Sequence, residues 1–343
     1  MTNLCVSHIM QHTPLKINNM KTAFITGIAG QDGSYLSEFL IEQGYRVTGI
    51  IRRNSTVEHQ KDRIGNLAVE VEYGDLIDQS SLERALRLFK PDEIYNLGAQ
   101  SHVRISSDIP QFTTQTNAVG VLNILEAYKN ICPGARFYQA SSSEMFGSSV
   151  DADGYQRETT AMHPVSPYGC SKVFGYNIVH HYRNAHKLHA SNGILFNHES
   201  PRRGSNFVTN KVVKGAVEIV LGISNKLVMG NMDSYRDWGH SYDYVRAMHA
   251  IVQHHTPIDL VVATGETRSV REMCEYVFGK LDLDYRDFVQ QDQKYMRPEE
   301  LPYLRGDSTR IKTELGWQPE YTFYQLMDEM IDHWMNVYKS QQN

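Results

Sequence analysis

The sequence predicts an α/β protein built on a doubly wound parallel sheet, and three observations carry that expectation. From Lys21 to Asn197 apolar strand-like runs alternate with helix-like segments, joined by short connections. The first run, "TAFITG", stops at a glycine-rich turn that leads straight into an amphipathic segment. After Asn197 the alternation gives way to short loops and separate helices, so a smaller, interleaved C-terminal domain follows.

"TAFITG" is a short apolar strand ended by Gly27, and "SYLSEFLIEQG" sets Leu36, Phe39 and Leu40 on one helical face with Gly44 as its stop. "YRVTGIIRR" and "VEVEYGD" read as strands, "SSLERALRLF" as a helix and "DEIYNLGA" as the next strand. A long helix, "NAVGVLNILEAYKN", leads into the strand "RFYQASSSE". A helix beginning near Tyr168 precedes the strand "ASNGILFN". Beyond it, "NFVTNKVVKGAVEIV" reads as a helix, "LVVATG" at 260–265 as a further strand of the first sheet, and "FYQLMDEMIDHWMNVY" as an amphipathic helix. Residues 1–19 lack an apolar targeting core and an Arg-rich amphipathic pattern, and are expected to form a disordered extension.

Composition excludes several classes. With 343 residues, 41% hydrophobic and 21% charged, the chain is of ordinary globular make-up. A net charge of −5 and a pI near 6.3 argue against a nucleic-acid surface. No apolar run approaches the roughly 18 residues a membrane span needs. Cys5, Cys132, Cys170 and Cys274 are scattered without a CxxC pair, which points to a reducing, cytoplasmic setting. His180, His181, His186 and His189 lack metal-ligand spacing and read as solvated helix residues, so no metal is expected.

The turn after the first strand is Gly27-Ile28-Ala29-Gly30-Gln31-Asp32-Gly33. Glycines there permit a tight turn and let backbone N–H groups approach a pyrophosphate at a helix N-terminus. The GxxGxxG spacing is weak alone, and an ordinary glycine turn is the bland alternative. Its strand–helix setting favours a Rossmann-type dinucleotide site. Arg52-Arg53 end the second strand, where an NAD site usually places an acid. Two guanidiniums suit a 2′-phosphate and favour NADP, against the alternative of a solvated strand end. Asp75 is placed to accept from the adenine amine.

Tyr168-Gly-Cys-Ser-Lys172 sets a Tyr and a Lys one helical turn apart. With 20 Tyr in 343 residues, chance supplies roughly one such pair, and Tyr276-Val-Phe-Gly-Lys280 is a second. Context chooses the first, which follows the glycine turn and the serine-ended strand. The phenol's ordinary pKa is near 10, so a neighbouring cation and a positive nicotinamide are expected to lower it and make Tyr168 a base. Ser142 or Ser143 would hydrogen-bond the developing oxyanion. Glu144 is surplus to simple alcohol oxidation. A carboxylate there suits a proton lost from the carbon next to a new ketone, followed by expulsion of a hydroxyl. A loop-capping carboxylate is the structural alternative.

"ITGIAGQDGSYLSEFL", "YNLGAQSHV", "YQASSSEMFG", "GILFNHESPRRG", "NFVTNK" and "GNMDSYRDWGH" together resemble the GDP-mannose 4,6-dehydratase family, within the extended short-chain dehydrogenase/reductases. The resemblance implies NADP-dependent conversion of GDP-mannose to GDP-4-keto-6-deoxy-mannose, and in some relatives further reduction to GDP-rhamnose. It implies catalytic Ser142, Glu144, Tyr168 and Lys172. It implies NADP contacts from Gly27, Ile28, Ala29, Gly30, Gln31, Asp32, Gly33, Arg52, Asp75, Leu76, Leu97, Gly98, Ala99, Gln100, Ser101, Lys172, His198 and Arg203. Ser143, Asn197, Asn206, Lys211, Arg236, Arg297 and Glu300 correspond to substrate positions. The implied division is an NADP-binding domain of residues 20–197 with 236–265, and a nucleotide-sugar domain of 198–235 with 266–343. A homo-oligomer, dimer or tetramer, is implied as well. Ser142 replaces the family's usual Thr, and the segments after Arg53 and before Arg297 look shorter than usual.

Three alternatives remain. A 4-epimerase would share Tyr and Lys but needs no base such as Glu144. A dTDP-glucose-type dehydratase would carry Asp-Glu where this chain has Ser143-Glu144. A non-catalytic NADP-binding regulator would keep the fold without turnover.

Overall fold

A computed structural model describes residues 20–53 and 63–342. The expected extension at 1–19 and most of the segment after Arg53 lie outside the described residues. Strands β1 (Thr22–Thr26), β2 (Arg46–Ile51), β3 (Val69–Tyr73), β4 (Glu93–Asn96), β5 (Arg136–Ser142) and β6 (His189–Leu195) form most of the central sheet. Between them run helices α1 (Gln31–Glu42), α2 (Gln79–Phe89), α3 (Val103–Asp108), α4 (Pro110–Thr114), α5 (Gly120–Ile131) and α6 (Pro167–His186). Every residue of β1 is buried, as a strand covered on both faces requires.

The second half contributes β7 (Asn197–Glu199), α7 (Val208–Val220), β8 (Leu227–Met229), β9 (Tyr235–Arg236), β10 (Trp238–His240), α8 (Ser241–Gln253) and β11 (Asp259–Val262). It continues with β12 (Arg268–Ser269), α9 (Val270–Gly279), α10 (Tyr285–Phe288), β13 (Val289–Gln291), α11 (Thr309–Leu315) and α12 (Phe323–Gln342). β11, within the region expected to return to the first sheet, pairs parallel with β6. The seven-stranded order is β11-β6-β5-β4-β1-β2-β3, parallel throughout. The winding reverses between β1 and β4, and a crevice opens there beyond the carboxyl ends of both strands.

Apolar layers cover both faces. Leu36 and Leu40 pack with Val245 and Met248 on one, and Leu82, Leu86, Ile124 and Leu125 with Val179 and Tyr182 on the other. A separate core joins α7, α9 and α12 through Val213, Val217, Met273, Val277, Leu326 and Met330. Its Met229, Trp238 and Val270 border a cavity of the cleft.

Two local readings differ from the structure. The segment expected to begin one long helix opens with a π-helical turn, Gln115–Val119, before α5. The wider turn holds Asn117, whose amide donates to the Gln100 carbonyl and whose Oδ1 accepts from the Gln100 N–H, both at 2.8 Å. His189 begins β6 rather than ending a helix, and His180 pairs with the buried Asp259 at 2.6 Å.

Candidate active site

The glycine turn owes its shape to close backbone approach. Gly27 has φ +71°, and a Cβ on it would stand 2.9 Å from Cα of Gly98 in the loop after β4. A Cβ on Gly33 would meet the Gly27 carbonyl at 2.3 Å. The first turn of α1 therefore lies directly on the loop, with its N–H groups toward a cavity of about 450 Å³. Gly27, Ala29, Gly30, Gln31, Asp32, Gly33, Arg52, Asp75, Leu76, Leu97, Gly98, Ala99, Ser101 and Arg203 line it. The cradle is one that added Cβ atoms would fill, and it suits a dinucleotide diphosphate.

Ile28 and Gln100 do not line this cavity. Ile28 is fully buried in the core beneath the turn. Gln100 holds its loop in shape, its Oε1 accepting from the His102 N–H at 2.5 Å.

The second cavity, about 310 Å³, shares Asp32, Leu97, Ala99, Ser101 and Arg203 with the first, which makes one continuous cleft. Ser142, Ser143, Glu144, Tyr168, Lys172, Asn197, His198, Asn206, Lys211, Arg236, Arg297 and Glu300 all line it. The structure therefore brings together residues from both halves of the chain.

Local chemistry sets the catalytic geometry. β5 ends at Ser142, whose hydroxyl accepts from the Glu144 N–H at 3.3 Å and starts a 3-10 turn over Ser143–Met145. α6 starts at Pro167 behind the Ser166 cap, which accepts from the Gly169 N–H at 3.0 Å. Tyr168 thus occupies the first turn. A Cβ on Gly169 would lie 2.8 Å from the Glu144 carbonyl, so α6 presses directly on the Glu144 turn.

Lys172 Nζ donates to the Ala140 carbonyl at 2.8 Å and sits 5.6 Å from the centre of the Tyr168 ring. Burial pulls this ammonium down to about 8. Burial also pushes the Tyr168 phenol up to about 12, against the pull of hydrogen bonding to Ser142, while the Glu144 charge adds to the rise. The lowered phenol expected from the sequence is that of the cofactor-bound site. In the chain by itself desolvation wins, and the ammonium is committed to a carbonyl. The competing pair, Tyr276 and Lys280, spends both polar groups on Asp328 at 2.7 and 3.1 Å and lines neither cavity.

Glu144 is buried, and its Oε1 accepts from Arg297 Nη1 at 3.1 Å. Its Oε2 is buried with no hydrogen-bond partner among the described residues. Arg297 Nε lies 3.7 Å from Glu300 Oε1, which accepts from Arg236 Nη2 at 3.1 Å. Arg236 is fixed further by bonds to the Tyr235 and Leu301 carbonyls, each 2.8 Å.

His198 Nε2 lies 2.8 Å from Asp32 Oδ2, and its Nδ1 lies 2.7 Å from the Phe196 carbonyl oxygen. Burial pulls the imidazole down, but the Asp32 charge together with the hydrogen bonds to Asp32 and the Phe196 carbonyl leaves His198 above its ordinary value. Burial raises Asp32, while His198 and Arg203 more than compensate and hold it below the usual carboxylate range.

Sequence reading missed several lining residues. Arg63 lines the first cavity with Arg52 and donates to the Ala29 carbonyl at 3.3 Å. His102, Glu199, Phe207 and Tyr295 line the second. Glu199 accepts from Thr209 Oγ1 at 2.6 Å and pairs with Arg203 at 3.0 Å. The buried acid in "NHESPRRG" was visible as a signal, whereas Arg63 and Tyr295 carried none. Among the described residues no three or more His, Cys, Asp or Glu side chains gather as a metal site would need, and no helix is long and apolar enough to cross a membrane.

A family model described as GDP-mannose 4,6 dehydratase matches residues 24–330. GDP-mannose 4,6 dehydratase 1 of Arabidopsis thaliana is 46% identical over 331 residues, covering 93% of this chain and 91% of that protein. The Homo sapiens GDP-mannose 4,6 dehydratase is 45% identical, covering 90% of each. That of Vibrio cholerae is 43% identical, covering 91% and 93%. Among solved structures, UDP-glucose 4-epimerase of Thermotoga maritima superposes with TM-score 0.81 at 22% identity, covering 92% of this chain and 99% of that one. The dTDP-glucose 4,6-dehydratase of Bacillus anthracis gives 0.80 at 21% identity, covering 93% and 98%. At such identities the structures establish the shared α/β fold alone.

Proposed function

The chain belongs to the GDP-mannose 4,6-dehydratase family, and from that membership we propose that it dehydrates GDP-D-mannose to GDP-4-keto-6-deoxy-D-mannose, with NADP as cofactor. The observation that carries the reading is Glu144 in one cleft with Tyr168, Ser142 and Lys172. An oxidoreductase that only exchanged hydride would have no use for that carboxylate.

The glycine cradle would hold the cofactor diphosphate, and Arg52 with Arg63 supports a 2′-phosphate at the adenosine end. When bound, the nicotinamide would supply the hydride acceptor for sugar C4 and the donor for C6, which would leave the reaction redox-neutral. Tyr168 takes the O4 proton, its phenolate favoured by that positive ring and by Lys172. Ser142 donates to the developing C4 oxygen. The new ketone acidifies C5, and Glu144 removes that proton. It then delivers the proton to the C6 hydroxyl, which leaves as water. The proton taken from O4 balances the one that C5 regains. Lys211, Arg236 and Arg297 supply cations for the substrate diphosphate. Asn197, Asn206, Ser143 and Glu300 supply polar partners for ribose and sugar hydroxyls. The first, sheet-centred half is the cofactor unit in this reading, and the α7/α9/α12 half the nucleotide-sugar unit.

A homo-oligomer, dimer or tetramer, is part of the same reading and rests on the family membership.

The test is turnover of GDP-mannose with catalytic NADP⁺, followed by mass spectrometry for water loss and by NADPH absorbance, in wild type and Glu144→Gln. Dehydrated sugar in excess over cofactor, absent in the variant, is the expected result. Hydride transfer by the wild type with no water lost would overturn the reading.

A further inference from the structure

Glu144 lines the cleft with one of its two oxygens already engaged. Oε1 is bonded to Arg297 at 3.1 Å, and Oε2 is shut away from solvent without a partner among the described residues. Oε1 can take a proton from a sugar carbon only once that bond is released. The only bond on its side chain among those described is to Arg297.

The two arginines at this end of the cleft differ in how firmly they are held. Arg236 makes three hydrogen bonds, to two backbone carbonyls and Glu300, and its side chain is 5% exposed. Arg297 has one hydrogen bond, to Glu144, plus a 3.7 Å approach to Glu300, and its side chain is 26% exposed. The cation that touches the base is therefore also the one an incoming anion can recruit. A diphosphate offers more negative charge than one carboxylate and several oxygens in the plane a guanidinium prefers.

Resting on the proposed function, we propose that Arg297 is a positioning residue that latches Glu144 in the free enzyme and is drawn off it by the diphosphate of the nucleotide sugar. Binding at the nucleotide end then frees the carboxylate at the sugar end. Arg236, locked in place, receives the same diphosphate without changing partners. The Glu144 charge also bears on Tyr168 and Arg236, and neither is hydrogen-bonded to its carboxylate among the described residues. The latch makes remote binding energy a condition of the proton abstraction. It also predicts that a sugar lacking the nucleotide diphosphate leaves the base engaged.

GDP alone reads the latch, since it carries the diphosphate but no mannose for Glu144 to touch. Its dissociation constant is measured by calorimetry for wild type, Glu144→Gln, Arg297→Met and the double variant, at one ionic strength and with thermal melts to confirm folding. Removing the carboxylate charge releases Arg297, so Glu144→Gln should tighten GDP by about three- to tenfold. The same change in the Arg297→Met background should have no effect. Arg297→Lys, which keeps the charge, should restore part of the coupling if Arg297→Met folds poorly.

Unchanged GDP affinity in Glu144→Gln overturns the latch. Equal tightening in both backgrounds also overturns it, because a general charge effect would then suffice. Dehydration of GDP-mannose by the wild type, run alongside, separates the two levels. Turnover without coupling removes the latch alone, whereas no turnover removes the functional reading and the latch with it.

Discussion

His198 and Asp32 join the two halves of the cleft: 2.8 Å separates Nε2 of a residue in β7 from Oδ2 of a residue in the first turn of α1. The imidazole also stacks on Tyr244, with ring centres 4.4 Å apart. The pair ties the strand beyond β6 to the cofactor turn.

Its stability contribution should depend on pH with a defined sign. His198 is raised, so its share is complete below the unfolded value of about 6.5 and is lost as pH climbs through the folded value. Asp32 is lowered, so its share is present above about 3.9 and is lost as pH falls through the folded value. Replacing His198 by Asn should cost about 2 kcal/mol in mildly acid solution. Denaturant melts from about pH 5 to pH 9 should show the gap to wild type narrowing as pH rises. A gap that stays constant would mean the ring contributes only by packing.

Lys172 should display opposite demands of stability and chemistry. Burial holds its ammonium at about 8, against 10.5 in the unfolded chain. The charged form is therefore a penalty on folding that is complete below about 8 and vanishes as pH rises toward 10.5. Lys172→Met should lose activity by about a hundredfold or more. Relative to the variant, the wild type should gain up to about 3 kcal/mol between those limits. Melting both proteins at pH 7 and near pH 10 checks this; a difference independent of pH would put the ammonium in solvent.

Cofactor choice should reside in Arg52 and Arg63, which both line the first cavity. Arg52→Ala should raise the KM for NADP⁺ about tenfold and leave that for NAD⁺ within about twofold. Arg63→Ala should act in the same direction. Steady-state kinetics with both cofactors decide the matter, and equal losses for both would place the arginines on the shared diphosphate or outside the site.

The sequence by itself determined the sheet and most of the cleft. Strand–helix alternation, the Gly27–Gly33 turn and the pairing of Tyr168 with Lys172 are short-range patterns, dictated by period, backbone freedom and one helical turn. Preference for Tyr168 over Tyr276 needed only neighbouring context, and the structure ties the second pair to Asp328. The tertiary structure alone decided that Arg297 reaches Glu144 across 153 residues, that Arg63 joins Arg52, and that His198 meets Asp32. It also buried the Tyr168 phenol, which pushes it up to about 12 in the chain by itself. Desolvation and long-range ion pairing depend on which surfaces the completed fold removes from water, and no local spacing encodes that.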